Sequence, residues 1–164
     1  MSGRAFFDTN VLIYSLGAKD PRGRRAEQLL SEGGVVSVQV LNEFSDVARR
    51  KIRMSWDDVR QALRVFQFLC PDPVPITMDT HEHALIIAEG HDMRIYDALI
   101  LASALGTNCT TLYTEDLQDG QVIDGRLTIR NPFKFESGSW AQAFFESLSN
   151  ILPARRHRSL RGCC

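Results

Sequence analysis

The first apolar block comes at once: "RAFFD" runs three apolar residues into a carboxylate, a short buried strand ending on Asp8. The apolar stretch of "NVLIYSL" then begins a helix, with residues 8–10 as its capping turn. "RGRRAEQLLSEGG" predicts a second helix with Leu29 and Leu30 facing inward, stopped by Gly33 and Gly34. "VVS" is a second short strand. Over residues 38–51, apolar side chains at 40, 41, 44, 47 and 48 share one helical face. "SWDDVRQALRVFQFL" starts on Ser55 as N-cap, with acids in its first turn and a stripe of Val59, Ala62, Leu63, Phe66 and Leu69. "PDPVPITMD" is a proline-broken link into a further short strand. "THEHALIIAEGH" is a helix ended by Gly90, and "IYDALILASALG" a strongly apolar one closed by Gly106. "CTTLYTED" and "LTIRNPF" are strands. Short strands alternating with helices predict an α/β fold, a three-layer sandwich with a mainly parallel central sheet flanked by helices.

The pattern changes after Phe135. "ESGSW" reads as a flexible link, and Trp140, Phe144, Leu148 and Ile151 fall near helical spacing before Pro153 and an Arg-rich tail. The expected organisation is a domain over residues 1–135 and a C-terminal extension over 136–164. Residues 140–152 are a candidate for self-association or for packing on their own domain.

Composition narrows the class. The 164 residues are 44% hydrophobic and 24% charged, ordinary for a soluble globular chain. No apolar run nears the roughly 20 residues of a membrane helix, and the N-terminus lacks a signal peptide's apolar stretch. Cysteines at 70, 109, 163 and 164 show no C-x-x-C spacing, which argues against a zinc site or disulfide framework and for a cytoplasmic location. The net charge of −1 leaves nucleic acid open as a partner, because a local basic patch suffices. Arginines gather at Arg22, Arg24 and Arg25, at Arg49, Arg50 and Arg53 around Lys51, and in the tail at Arg155, Arg156, Arg158 and Arg161. Each cluster alone is most simply a solvated face.

The acids carry the chemistry. Asp8 and Asp116 follow the C-terminal ends of strands, Glu43 sits early in a helix amid Val, Leu and Phe, and Asp97 stands in the opening turn of "IYDALILASALG". In open α/β sheets that edge is where ligands bind. Crowded carboxylates repel and raise one another's pKa, a conflict that a divalent cation removes. Oxygen donors without His or Cys suit Mg2+ or Mn2+. Taken singly, Asp8 is an N-cap, Asp97 a first-turn acid complementing the helix dipole and Asp116 a turn residue; Glu43 is the hardest to explain that way.

In their order and spacing, "FFDTNVLIY", "VVSVQVLNEFSDVARRK", "RIYDALILASAL", "LYTEDLQDGQ" and "LTIRNPF" resemble the PIN domain family, the nuclease module of VapC-type toxins, over residues 4–135. The resemblance implies a Mg2+-dependent endoribonuclease, the toxin of a toxin–antitoxin pair, with a catalytic and metal-binding quartet at Asp8, Glu43, Asp97 and Asp116. Asn10 and Thr114 match polar residues that would orient the ligating acids, and Asp119 is a further carboxylate at the rim. RNA, a small antitoxin protein and a second copy of the chain are the implied partners. Metal-assisted hydrolysis would leave a 5′-phosphate and a 3′-hydroxyl and needs no histidine base, which suits the placement of His81, His83, His91 and His157 outside the acidic motifs. Arg22, Arg24, Arg25, Arg49, Arg50 and Arg53 are candidates to meet RNA phosphates.

Two other classes compete. A nucleic-acid-binding regulatory domain on the same scaffold would bind without turnover and use the acids as caps and turns. An Asp-nucleophile phosphatase would share the look of "FFDTN", but it wants a second Asp where Asn10 stands, and a suitable downstream lysine motif is missing.

Overall fold

A computed structural model describes residues 4–17 and 19–134. The amphipathic segment at 140–152 and the Arg-rich tail lie outside the described residues.

Strand β1 (Ala5–Phe7) carries Phe6 and Phe7, which point to opposite faces and are both buried. A strand buried on both faces belongs in a sheet covered on both sides, which explains the unbroken apolar run. β1 pairs in parallel with β2 (Thr111–Tyr113), and β2 in parallel with β4 (Leu127–Arg130). β3 (Val122–Ile123) pairs antiparallel with β4, giving the order β1-β2-β4-β3. β3 was not anticipated from the apolar pattern, since two residues are too short for a periodicity. Its hairpin is nonetheless written locally: Asp124 and Gly125 both adopt positive φ, and the Arg126 N–H donates to Ile123 O, as a tight Asp-Gly turn requires.

The strand expected at "VVS" is reduced to single parallel bridges, Val35 to Phe6 and Ser37 to Val74 inside the proline-broken link, and in place of the strand expected beyond that link a helix begins at Met78. They widen the sheet beyond β1 by one hydrogen-bonded step at a time. The chain can come this close because of Gly34. A Cβ there would meet the Phe7 ring at 2.3 Å and Ala5 O at 3.0 Å.

Helix α1 (Thr9–Tyr14) leaves β1 directly, with Asp8 as its N-cap. α2 (Pro21–Ser31) opens on the Asp20 cap with Pro at its first position, buries Leu29 and Leu30, and gives way to Gly33 at φ 77°. α3 (Val38–Val47) is capped by Ser37. The helix expected to run through residue 51 does not stay α. After Val47 it widens into a π turn, Ala48–Ile52, that ends on Arg53 in the left-handed region. α4 (Trp56–Leu69) has a full capping box, Ser55 and Asp58 each bonding the other's backbone N–H. α5 (Met78–His91) runs past Gly90, and its terminator is Asp92 at φ 49°. α6 (Ile95–Gly106) buries every residue from Ala98 to Leu105. A helix apolar on all sides belongs at the centre, and α6 packs against α5 and α3. Its burial fixes the first turn, and with it Asp97. No helix among the described residues is long and apolar enough to cross a membrane.

Candidate active site

β1 and β2 run parallel, so their C-terminal ends share one edge of the sheet. Asp8 is the residue after β1, and Thr114 the residue after β2. Both are buried, at 7% and 0% exposure. The Asp8 N–H donates to Tyr113 O, which carries the ladder one step further and brings the two side chains together. Asp8 Oδ2 accepts from Thr114 Oγ1 at 2.6 Å and from Asn10 Nδ2 at 3.2 Å, while Oδ1 accepts from the Thr9 N–H at 2.6 Å. The capping role and the buried-acid role are therefore the same side chain.

Asn10 ties this carboxylate to the next. Its Nδ2 also lies 3.3 Å from Asp116 Oδ2 and 3.2 Å from Thr114 Oγ1, and Thr114 Oγ1 accepts from the Asp116 N–H at 3.1 Å. Glu43 is held separately, by Thr9 Oγ1 at 3.1 Å and Gln39 Nε2 at 2.7 Å. Two residues of α1 thus reach acids that lie 34 and 106 positions away. Asn10 Oδ1 is buried without a hydrogen-bond partner, an open oxygen donor beside the acids.

The acids also act on one another through their charges. Burial pushes the Asp8 carboxyl from 3.8 up to about 7; the hydrogen bonds from Thr114 and Thr9 oppose the rise, and the charges of Asp116 and Glu43 add to it. Asp97 is also raised, by burial first, with Arg94 opposing and Glu43 and Asp116 contributing. Asp8 and Asp116 follow β1 and β2, whereas Glu43 is carried by α3 and Asp97 by the first turn of α6. Glu43, Asp97 and Asp116 line an open cleft of about 830 Å3, together with Gln39, Asp46, Lys51, Arg94 and Tyr96 among others.

The donor set is all oxygen, which is the chemistry of Mg2+ or Mn2+. The spacing is looser than a preformed cage: among the described residues no three His, Cys, Asp or Glu side chains are grouped to hold an ion as they stand. Asp119 Oδ1 accepts from the Asn131 N–H, and Asp119 is not among the residues lining the cleft. None of the six candidate arginines lines the cleft. Arg22 pairs with Asp20 and donates to Tyr14 Oη, Arg49 donates to Met54 O and lies over the Trp56 ring, and Arg50 pairs with Asp46. The cleft's cations are Lys51, which lies inside the second basic cluster, and Arg94, which belongs to none of the clusters. His83 contacts Asp124 and His91 contacts Gln121, away from the acids.

The family model described as PIN domain matches residues 5–118, more than half of the chain. This chain belongs to the PIN domain family. The match spans Asp8, Glu43, Asp97 and Asp116, so the whole acidic edge lies inside the PIN domain. Three solved structures share the fold. A toxin–antitoxin complex from Klebsiella pneumoniae matches at 24% identity and TM-score 0.60, covering 80% of this chain and 99% of that one. VapC20 of Mycobacterium tuberculosis, a sarcin–ricin loop cleaving toxin, matches at 22% and 0.53, covering 68% and 89%. VapBC2 of Rickettsia felis bound to a promoter DNA fragment matches at 18% and 0.56, covering 77% and 98%. No curated protein matches with significance.

Proposed function

We propose that this PIN domain is a metal-dependent endoribonuclease, the toxin of a toxin–antitoxin pair. The observation that carries the reading is Asp8: a buried carboxyl, pressed by Asp116 and Glu43, that is costly to ionise unless a cation meets it. Asp8, Glu43, Asp97 and Asp116 would hold Mg2+ or Mn2+. When bound, such an ion supplies an acidified water and neutralises charge on the phosphate. Thr114 and Asn10 hold Asp8 and Asp116 in mutual register, and Gln39 and Thr9 hold Glu43. Fixing the acids beforehand is the chain's contribution to rate. In-line hydrolysis leaves a 5′-phosphate and a 3′-hydroxyl. The toxin role is supported by the folds shared with toxin–antitoxin assemblies; the proposed partners are a small antitoxin and a second copy of the chain, in the cytoplasm.

The test substitutes Asp8→Asn and Asp97→Asn. Each variant should keep its circular dichroism spectrum and lose RNA cleavage in Mg2+ or Mn2+. Undiminished cleavage in either variant defeats the reading. A second reading, nucleic-acid binding without turnover, draws on the absence of a tight three-acid group among the described residues. RNA binding by the wild type with no cation-dependent cleavage would select it.

A further inference from the structure

The acidic cleft has a second wall that the carboxylates do not explain. Tyr96 stands in the first turn of α6, one residue before Asp97, and is 52% exposed while lining the cleft. Among the described residues its ring stacks on no other ring and carries no cation over its face. Lys51 and Arg94 line the same cleft, and neither forms an ion pair among the described residues.

Lys51 owes its place to the π turn. Gln39, Glu43, Asp46 and Val47 form one face of α3 that looks into the cleft. With about 3.6 residues per turn, an unbroken α-helix would bring position 50 next onto that face. The π turn is wider and delays the repeat by one residue. Arg50 then folds back onto Asp46 at 3.5 Å, and Lys51 takes the cleft position. A local irregularity thus places an unpaired cation where the acids alone would repel a phosphate chain.

We propose that Tyr96, Lys51 and Arg94 form a nucleotide subsite beside the acids, in which Tyr96 stacks the base of an unpaired nucleotide and the two cations take adjacent phosphates. The proposal rests on the nuclease reading for its substrate class, RNA, and adds the residues that hold one nucleotide of it. Bases inside an A-form duplex are stacked on one another, and the deep major groove keeps side chains from their edges. An exposed ring on a cleft wall meets a base face only where the strand is unstacked.

Fluorescence anisotropy in EDTA tests this without cleavage, using a short randomised unpaired RNA and a blunt RNA duplex of the same composition. Tyr96→Ala should weaken binding of the unpaired RNA about fivefold or more. Tyr96→Phe should bind like the wild type, and duplex binding should not respond to either. Lys51→Ala and Arg94→Ala should each flatten the log–log salt dependence by about 0.7, whereas Arg60→Ala, on α4 and outside the cleft lining, should change nothing. Wild-type binding by Tyr96→Ala, equal losses in Tyr96→Phe and Tyr96→Ala, or a wild-type preference for duplex overturns the subsite. Cleavage in Mn2+ is read in parallel. Tyr96-dependent binding without cleavage keeps the subsite and removes the nuclease reading; cleavage with Tyr96-independent binding does the reverse.

Discussion

Replacing Asp8 by Asn should make the metal-free protein more stable while it destroys the proposed activity. The folded Asp8 carboxyl sits at about 7 against 3.8 for the ordinary group. Between those values the folded protein keeps a proton that the unfolded chain has released. Stability contributed by that proton is complete below about pH 4, is lost as pH rises toward 7, and changes no further above it. At about 1.4 kcal/mol per pKa unit, the gap of roughly three units sets a ceiling on the order of 4 kcal/mol. The Asn variant removes the charge and keeps an oxygen for the Thr9 N–H, but it presents an amide N–H₂ where Asp8 Oδ2 accepted from Thr114 and Asn10. That mismatch returns about 1–3 kcal/mol, unless Asn10 turns its unpartnered Oδ1 toward the new donor. A net gain of about 1–3 kcal/mol, several degrees in Tm, is expected near pH 8. Thermal and urea denaturation in EDTA from about pH 5 to pH 8 should show the wild type weakening as pH rises and the variant nearly level. Adding Mn2+ near pH 8 should stabilise the wild type and not the variant. A wild type whose stability is flat over this range, or a variant weaker than it at pH 8, would refute the account of Asp8.

Thr114→Val removes a hydroxyl from a site with no solvent access, leaving Asp8 Oδ2 and the Asp116 N–H each short of a partner. Denaturation should show a loss of about 1–3 kcal/mol; because the Thr114 bond holds the Asp8 carboxyl down, the pH at which stability levels off should also move upward. Gly34→Ala drives a methyl to within 2.3 Å of the Phe7 ring, and an overpacked contact of this kind should cost about 1–3 kcal/mol in urea unfolding.

Much of this protein was legible in one dimension. Three apolar residues ending on Asp8 can be buried on both faces only in a covered parallel sheet, and parallel strands put their C-terminal ends on one edge. That logic alone brings Asp8 and Asp116 together, and periodicity places Glu43 and Asp97 on the helices that face them. The cap at Ser55 is likewise a short-range fact, decided by side-chain bonds within a turn. Helix ends were less legible. Gly90 offers the freedom to stop α5, yet the helix continues until Asp92, because packing rather than propensity sets where its last turn lies.

Tertiary structure decided what depends on partners far away in sequence. The raised carboxyl of Asp8 depends on burial by the whole fold and on acids 35 and 108 residues away. Asn10 links two carboxylates only once β1 and β2 are paired. Charge counting singled out clustered arginines, but clustering does not say where a guanidinium will find a partner. Arg22, Arg49 and Arg50 met local partners, Asp20, Met54 O and Asp46. The cleft received the lysine of the second cluster, Lys51, beyond one π turn, and Arg94 at the foot of a buried helix. Composition and periodicity prescribe which elements form and which face each buries; the positions of the charges left over are a property of the assembled molecule.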